Sequence, residues 1–294
     1  MSAPPSVGDV FAPGLLDSRV AFVTGGGSGI GFGISSCFAA AGADVVLFSR
    51  NAERLEDAAE RLRETHGGSV ASFAGDVRQP ETLVSAMAAT RERFGRLDIL
   101  VNNAAGNFYA RSESLSPNAW RAVVEIDLFG TFYACQAAFP IMSAQRYGRI
   151  LSTSMTLHYR GWPLMAHATA AKAGVDALTR TLALEWARHG ITANAVAPGP
   201  IPTEGVRAAF ANPAGGTADL FGERSAEAFA ERFIPAGRVG TPADIGNVMT
   251  YLASPAGDWI TGQVFVVDGG ESLASPRPIT EPASEETAGP ASPE

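Results

Sequence analysis

The stretch VTGGGSGIG, residues 23–31, decides the fold of this chain. It ends an apolar run that is typical of a strand and precedes a predicted helix near the start of the folded region. Glycines at these positions allow a strand to turn sharply into a helix whose N-terminal amides face a pyrophosphate. A plain tight turn would also use glycine, but the flanking strand and helix favour a nucleotide site, with Gly25, Gly27, Ser28, Gly29, Ile30 and Gly31 as its residues.

Short apolar runs recur along the rest of the chain and alternate with helical patterns. Their continuous apolar character is typical of strands buried on both faces of a parallel sheet. Helix starts are expected at Asn51 and at Ser116-Pro117, which offer N-caps. The alternation predicts the α/β class, a Rossmann-type doubly wound parallel sheet of about seven strands in a single domain, residues 18–272. The predicted strands are RVAFVT, ADVVLFS, VASFAGDV, LDILVNN, GRILSTS, TANAVAP and QVFVVDG.

Three segments depart from this alternation. Residues 1–17 are rich in Pro, Gly and Ser, which predicts a flexible N-terminal arm. Residues 203–238 interrupt the pattern and carry scattered aromatics, as expected of a substrate lid. Residues 273–294 are acidic, proline-rich and nearly free of large apolar side chains, which predicts a disordered acidic tail.

The composition argues against several classes of partner. A formal net charge of −8 disfavours a broad nucleic-acid-binding surface, and no apolar run approaches the roughly 18 residues that a membrane span requires. The N-terminus lacks a secretory signal pattern, and the C-terminus, ASPE, is not a peroxisomal tripeptide. Two cysteines without CxxC spacing suit a reducing compartment, so a cytoplasmic location is expected. The histidines have no metal-ligand spacing, so no metal is expected.

The end of the second predicted strand bears on the choice of cofactor. Where a site for NAD would present a carboxylate, this chain has Arg50, and a guanidinium favours a 2′-phosphate. An ordinary surface arginine would look the same, but the position favours NADP(H), with Asn51 and Arg54 beside it. Asp76, which ends the third predicted strand, is a candidate acceptor for the adenine amino group or a plain turn aspartate.

Several motifs in this order together resemble the short-chain dehydrogenase/reductase family over roughly residues 18–272. They are TGGGSGIG, Asp76-Val77, VNNAAG at 101–106, Lys172, Asn194 and APGPI at 197–201. The resemblance implies one Rossmann-type domain, commonly a homotetramer, that moves a hydride to or from nicotinamide. It implies that Lys172 binds the nicotinamide ribose, and that the cofactor is lined by Val77, Asn102, Asn103, Ala104, Pro198, Gly199, Ile201 and Thr203.

The catalytic positions depart from the family's usual Asn, Ser, Tyr and Lys. That tyrosine exchanges a proton with a carbonyl oxygen, and the lysine lowers its pKa. This chain keeps Lys172 alone. Asp127 stands at the asparagine position, Met155 at the serine position and Ala168 at the tyrosine position. His167 is no simple substitute for the tyrosine, because neighbouring helix residues point about 100° apart. The departures argue against a carbonyl or alcohol oxidoreductase.

One branch of the family has the same departures. AAGNF at 104–108, IDLFGTF at 126–132, the run 160–180 and APGPIPTEG at 197–205 closely resemble peroxisomal-type 2,4-dienoyl-CoA reductases. Trans-2-enoyl-CoA reductases are similar but match less well at Asp127 and PTEG. The resemblance implies an NADPH-dependent reduction of 2,4-dienoyl-CoA to 3-enoyl-CoA in fatty-acid β-oxidation. A catalytically silent nucleotide-binding scaffold or sensor is the alternative from another class.

The chemistry of that branch explains why no tyrosine is needed. The hydride arrives at the far end of a conjugated thioester, negative charge flows to the thioester oxygen, and the proton goes to carbon. By resemblance, Asp127 with an ordered water is the acid that protonates carbon. The alternative is a structural carboxylate tied to a helix or to Lys172.

Residues expected to contact the acyl-CoA substrate come from the same resemblance. Arg78 is expected to meet the adenosine-side phosphate and Phe108 the acyl-thioester region, with Ser116 and Asn118 in a nearby turn. A solvated loop arginine and a core phenylalanine are the alternatives. His167 either bonds substrate or caps local backbone. Tyr159 either reaches the thioester oxygen or packs as a loop tyrosine.

Overall fold

The part of the chain that the structure describes forms one sheet of parallel strands. The computed structural model describes residues 10–204, 230 and 233–274. Within these ranges, seven strands pair in the order β3-β2-β1-β4-β5-β6-β7, so the predicted doubly wound α/β sheet is confirmed. The strands are β1 Val20–Thr24, β2 Asp44–Ser49, β3 Val70–Ala74, β4 Ile99–Asn102, β5 Gly148–Thr153, β6 Ile191–Pro198 and β7 Val264–Val267.

Helices cover both faces of the sheet. They are α1 Gly29–Ala40, α2 Ala52–His66, α3 Pro80–Phe94, α4 Pro117–Val124, α5 Gly130–Gln145, α6 Ala166–Trp186 and α7 Pro242–Ala253. Side chains of α1, α2 and α7 form the core on one face, and those of α3, α5 and α6 form the core on the other. Short 3-10 turns occupy Ser112–Ser114, Leu157–Tyr159, Ala187–His189, Pro255–Gly257 and Glu271–Leu273.

The central strand β1 illustrates how the sequence pattern produces these layers. All of its residues are buried. Val20 and Phe22 point to the face covered by α3, α5 and α6, whereas Ala21 and Val23 point to the opposite face. Because helices cover both faces, the strand is apolar at every one of these positions rather than at alternate ones.

The position of the site follows from the strand order, which reverses at β1. That strand pairs with β2 on one side and with β4 on the other. In an open parallel sheet, such a reversal leaves a crevice at the carboxyl ends of the strands, where ligands bind. Thr24 ends β1 and Asn102 ends β4. The glycine loop and the VNNAAG motif therefore meet at this crevice.

Both predicted helix caps are confirmed. The Asn51 side chain accepts a hydrogen bond from the Arg54 amide at 2.9 Å at the start of α2. The Ser116 hydroxyl accepts one from the Ala119 amide at 3.2 Å at the start of α4. Each cap satisfies an amide that the first helical turn leaves without a partner.

Part of the segment expected to be a flexible arm packs into the core. Leu16 is 1% exposed in the core of the α1 face, and its amide donates to the Ala41 carbonyl at 2.8 Å. The expectation for residues 1–17 is therefore wrong at Leu16. The apolar Leu16 side chain joins the core cluster of the α1 face, which the surrounding Pro and Gly do not reveal. Residues 1–9 lie outside the described part of the chain.

Most of the expected lid and tail also lie outside the described residues, which omit 205–229, 231–232 and 275–294. Inside the lid range, Ala230 and Ile234 are buried. At the start of the tail range, Leu273 ends a 3-10 turn and is 88% exposed.

The composite helix Pro117–Gln145 is long and apolar enough, by length and composition, to cross a membrane. It runs through α4 and α5 without a break. Ala134 and Met142 on this helix are buried in the core beside the sheet. In this fold the helix is therefore a core element of the α/β domain.

Candidate active site

The glycine loop has the geometry of a phosphate cradle. Gly25 and Gly29 have φ values of +66° and +54°, a conformation that favours glycine. A Cβ atom on Gly31 would lie 2.2 Å from the Gly25 carbonyl oxygen, so a side chain does not fit there. The N-cap of α1, Ser28, makes no side-chain cap, which leaves the first amides of the helix facing the crevice. These residues fit the pyrophosphate of a dinucleotide.

Asn103 ties the strand ends of the crevice together. Its amide and that of Ala104 donate to the Thr24 hydroxyl at 3.0 and 3.1 Å. Its side-chain amide donates to the Thr24 carbonyl at 3.3 Å, and its oxygen accepts from the Thr153 hydroxyl at the same distance. No role was predicted from the sequence for Thr24 or Thr153, although Thr24 ends the predicted strand RVAFVT and Thr153 is the last residue of β5.

Asn102 does not take the place expected for it. Its side chain is buried and donates to Ser152 at 3.3 Å and to the Cys135 sulfur at 3.2 Å. The amide therefore lies between β5 and α5, on the sheet face to which strand alternation directs it, and Asn103 faces the glycine loop instead. The expectation that Asn102 lines the cofactor is wrong for its side chain.

The residues expected to hold the adenosine end lie close together. Arg50 follows the end of β2 and is exposed. The Arg78 guanidinium donates to both oxygens of Asp76, with the closest approach 2.5 Å. These bonds hold the pKa of Asp76 below its usual range, and the charge of Arg50 adds to the effect. Arg78, expected to meet a CoA phosphate, is thus paired with Asp76 beside the predicted adenine site.

The segment after β6 lies across the glycine loop. A Cβ atom on Gly29 would meet the Thr203 side chain at 3.3 Å. Next to it, Glu204 accepts from Arg54 at 3.4 Å, and both side chains of this ion pair are exposed. Of the other expected cofactor residues, Ile201 is buried, Pro198 ends β6, and the Gly199 amide donates to the Val267 carbonyl. The tertiary structure therefore brings the glycine loop, Arg54 and Thr203 to one cleft.

Asp127 sits in an irregular turn of the composite helix. Glu125–Phe129 form a π-helical turn between α4 and α5, a feature frequent at functional sites. The Asp127 side chain is buried and accepts a hydrogen bond from the Gly106 amide at 2.9 Å. Its other oxygen lies 3.7 Å from the Lys172 ammonium. Lys172, also buried, donates to the Thr153 carbonyl at 2.7 Å.

The electrostatics suit Asp127 to hold a proton. Burial raises the pKa of its carboxyl, and the nearby Lys172 charge and the Gly106 amide oppose that rise. The carboxyl therefore keeps a proton more readily than an exposed aspartate does. The predicted catalytic residues Asp127 and Lys172 are thus in contact, and Gly106, which the sequence analysis left without a role of its own, orients the carboxyl.

Apolar side chains occupy the place where the family has its tyrosine and serine. Ala168 is buried in one cluster with Tyr109, Val123 and Met165. The cluster also packs against Phe108, Met155, Leu157, Trp162 and Leu164. Ser154 does not supply the missing serine, because its hydroxyl donates to Asp176 at 2.5 Å. The arrangement favours an apolar substrate next to Asp127 and provides no hydroxyl from Ala168 or Met155.

His167 is fully buried beside this cluster. Its ring lies edge-on to the Phe108 ring, with centroids 4.5 Å apart. Neither ring nitrogen makes a hydrogen bond of ordinary geometry to a described residue. Burial lowers the pKa of the imidazole, and backbone groups of Met165 and Phe108 oppose the change. His167 is therefore a neutral ring next to the expected substrate contact Phe108, and its two expected roles both stay open.

The structure also locates the remaining candidates for contact with the substrate. Ser116 and Asn118 are exposed at the start of α4, where Ser116 serves as the helix cap. Tyr159 is 47% exposed, and its hydroxyl lies 3.4 Å from Asp176. The tyrosine is thus bonded to α6.

Comparisons with known proteins agree with this geometry. Residues 25–272 match the family model described as enoyl-(acyl carrier protein) reductase. A peroxisomal 2,4-dienoyl-CoA reductase [(3E)-enoyl-CoA-producing] of Danio rerio is 44% identical over 267 residues, 90% of this chain and 85% of that protein. A probable 2,4-dienoyl-CoA reductase [(2E)-enoyl-CoA-producing] of Bacillus subtilis is 39% identical over 260 residues, 88% of this chain and 98% of that one.

Solved structures extend the likeness to three dimensions. A short chain dehydrogenase of Bacillus anthracis is 37% identical, with a TM-score of 0.76 over 89% of this chain and 99% of that chain. Levodione reductase is 33% identical, with a TM-score of 0.82 over 88% of this chain and 100% of that chain. The fold, the motifs and these relatives lead to one assignment: the chain belongs to the short-chain dehydrogenase/reductase family.

Proposed function

We propose that the protein is an NADPH-dependent reductase that converts 2,4-dienoyl-CoA to 3-enoyl-CoA. The observation that carries the proposal is the buried Asp127–Lys172 pair beside an apolar cluster that has Ala168 in the place of the family's tyrosine. The names of the relatives from Danio rerio and Bacillus subtilis support the same substrate class.

The reaction requires one hydride and one proton. When bound, the nicotinamide supplies the hydride for C5 of the dienoyl chain. The electrons of the C4=C5 bond form a new C3=C4 bond, and those of the C2=C3 bond move onto C2 and the thioester oxygen. Protonation of C2 then leaves a 3-enoyl-CoA. Because the proton goes to carbon, no phenol is needed to protonate an alcohol oxygen.

Asp127 is the group suited to deliver that proton, through a water molecule. The Gly106 amide fixes one carboxyl oxygen, and the other faces Lys172 at 3.7 Å. Burial favours the protonated acid, and Lys172 stabilises the carboxylate that remains after transfer. The pair therefore has a route both to hold a proton and to release it.

The preference for NADP(H) over NAD(H) rests on cations at the adenosine end. Arg50 follows β2 directly, and Arg54 is in the first turn of α2. A guanidinium pairs well with a 2′-phosphate.

We also propose that the protein works as a cytoplasmic homotetramer on acyl-CoA. Large apolar side chains on the surface support self-association, among them Leu184 at 85% and Trp259 at 98% exposed. Free, buried thiols at Cys37 and Cys135 are compatible with a reducing compartment. Light scattering on the purified protein measures the oligomer, and fractionation of the source cells measures the location.

A panel assay tests the reaction. NADPH oxidation is followed with 2-enoyl-CoA and 2,4-dienoyl-CoA thioesters, and the double bond of the product is located by NMR. We expect turnover of dienoyl-CoA and a C3=C4 bond. Turnover of 2-enoyl-CoA alone would establish the rival enzyme, and a product with a C2=C3 bond would place the proton on C4. Cofactor binding without any turnover would indicate a silent scaffold.

A further inference from the structure

A second buried carboxylate near the site has no part in the reaction described above. Asp176 lies on α6 one turn after Lys172 and is 2% exposed. It accepts from the Ser154 hydroxyl at 2.5 Å and from the Tyr159 hydroxyl at 3.4 Å, and it contacts the His158 ring nitrogen at 2.9 Å. Side chains from one short segment, 154–159, thus converge on one carboxylate.

This cluster is not a nucleophilic triad. In such a triad the histidine stands between the serine and the carboxylate and takes the serine proton. Here Ser154 and His158 both contact Asp176, on different oxygens. The arrangement gives a buried carboxyl group several hydrogen-bond partners, as buried polar groups in proteins require.

The segment that Asp176 holds faces the apolar cluster of the site. Met155 and Leu157 pack there with Ala168 and Phe108. The sheet holds the start of the segment, because the Ser154 amide donates to the Val196 carbonyl at 2.7 Å. Beyond Ser154, Asp176 is the side-chain anchor that joins the segment to the helix carrying Lys172 and Ala168.

We propose that Asp176 is a positioning residue that holds segment 154–159 against α6 and so sets the affinity for the acyl group. The inference rests on the proposed function, because it takes the apolar cluster as the acyl site. Without the carboxylate, the three side chains lose their common acceptor. Met155 and Leu157 then lose their fixed position in the pocket wall, while the glycine loop and Asp127 keep their own contacts.

Asp176→Asn is the sharpest variant. The amide keeps the shape of the side chain but has one oxygen in place of two, and its NH2 group faces a donor. Ser154 can turn its hydroxyl to accept from that group, so the fold is retained. We expect KM for 2,4-decadienoyl-CoA to rise roughly tenfold while kcat and the Kd of NADP+ each change less than about threefold. Asp57→Asn, an exposed aspartate on α2, is the matched control and should change none of these values.

Two further measurements separate this inference from the proposed function. The first is calorimetric binding of decanoyl-CoA, which cannot be reduced, in the presence of NADP+; Asp176→Asn should weaken it by the same roughly tenfold factor. If the unmutated protein binds decanoyl-CoA without reducing any dienoyl-CoA, the proposed function fails and this comparison still decides the role of Asp176. The second is Ser154→Ala, which removes the shortest contact to Asp176 and should also raise KM. This variant replaces Asp176→Asn in the test if Asp176→Asn proves unstable. Unchanged acyl-CoA affinity in folded Asp176→Asn or Ser154→Ala, or an equal loss of NADP+ affinity, would overturn the inference, as would failure of the unmutated protein to bind acyl-CoA.

Discussion

The Lys172 ammonium lies 3.7 Å from the Asp127 carboxyl, and both side chains are almost completely buried. Lys172 also donates to the Thr153 carbonyl at the end of β5. This contact joins the π-helical turn of the composite helix to α6, the two elements that carry three of the family's four catalytic positions. Replacing Asp127 leaves the buried Lys172 ammonium without its carboxyl partner, whereas replacing Lys172 leaves the buried Asp127 carboxyl without its cation. Because the group left behind differs, the two substitutions should have different consequences.

Asp127→Asn should reduce kcat by roughly 10²–10⁴, the range of general acid catalysis, with little change in the Kd of NADPH. Asparagine keeps the shape and restores the family's common residue, but it has no transferable proton. Single-turnover kinetics with dienoyl-CoA and fluorescence titration with NADPH measure the two quantities. Lys172→Ala should differ by weakening NADPH binding as well. Near-normal turnover by Asp127→Asn would mean that this carboxyl is structural.

The raised pKa of Asp127 predicts how the rate depends on pH. The protonated carboxyl is the donor, and because burial raises its pKa, that form persists to higher pH than in an ordinary aspartate. It is lost as the pH rises through the raised value, so kcat should fall on the alkaline side. Lys172→Met removes the charge that opposes the rise, and should move this fall to still higher pH. A pH–rate profile of each variant measures the direction in which the alkaline fall of kcat moves. An unchanged alkaline fall in Asp127→Asn would contradict the assignment of this fall to Asp127.

Arg50→Ala should remove most of the preference between cofactors. We expect the unmutated protein to bind NADPH at least tenfold more tightly than NADH, a difference of about 1.4 kcal/mol. The variant should bind both with similar affinity, because the guanidinium is proposed to pair with the 2′-phosphate, which NADH lacks. Titration with each reduced cofactor provides the measurement. Equal affinity in the unmutated protein is the result that would rule out the assignment.

Glu204→Gln should strengthen NADP+ binding by a modest factor. Glu204 pairs with Arg54 at 3.4 Å at the edge of the cofactor cleft, where a 2′-phosphate would compete for the same guanidinium. The pair is exposed, so its contribution is at most about 1 kcal/mol, and the gain should shrink at high salt. Calorimetry at two ionic strengths measures it. Weaker binding by Glu204→Gln would show that the glutamate helps to hold the cofactor.

Leu16→Ala should lower the free energy of unfolding by about 2–5 kcal/mol, as expected for a buried leucine. The side chain is 1% exposed in the core of the α1 face. Leu273→Ala is the control, since that side chain is 88% exposed and its loss should change stability by no more than about 0.5 kcal/mol. Urea denaturation of both variants provides the comparison. Equal effects would place Leu16 outside the cooperative core.

The features that depend on neighbouring residues could be predicted from the sequence. Continuous apolar runs indicated seven strands, although the edge strand β7 is only partly buried rather than covered on both faces. The glycine pattern indicated the nucleotide loop, and Asn51 and Ser116 indicated helix starts. Each of these depends on backbone conformation or on a hydrogen bond a few residues away. The replacement of the family's tyrosine by Ala168 could also be recognised from the sequence, because that position lies at a fixed spacing from Lys172 in the motif.

The tertiary structure alone decided which side chains meet. Ser154 stands beside a family serine position in the sequence, yet it bonds Asp176, 22 residues away. Leu16 joins the core of the α1 face and its amide bonds the Ala41 carbonyl. Asn102 points toward β5 and α5, while Asn103 faces the glycine loop. Burial and the direction of a side chain depend on how helices and strands pack from distant parts of the chain. A single sequence carries no local signal for that packing. Lys172 could be named as one possible partner of Asp127, but the Gly106 amide and all the partners of Asp176 emerge only once the elements are brought together.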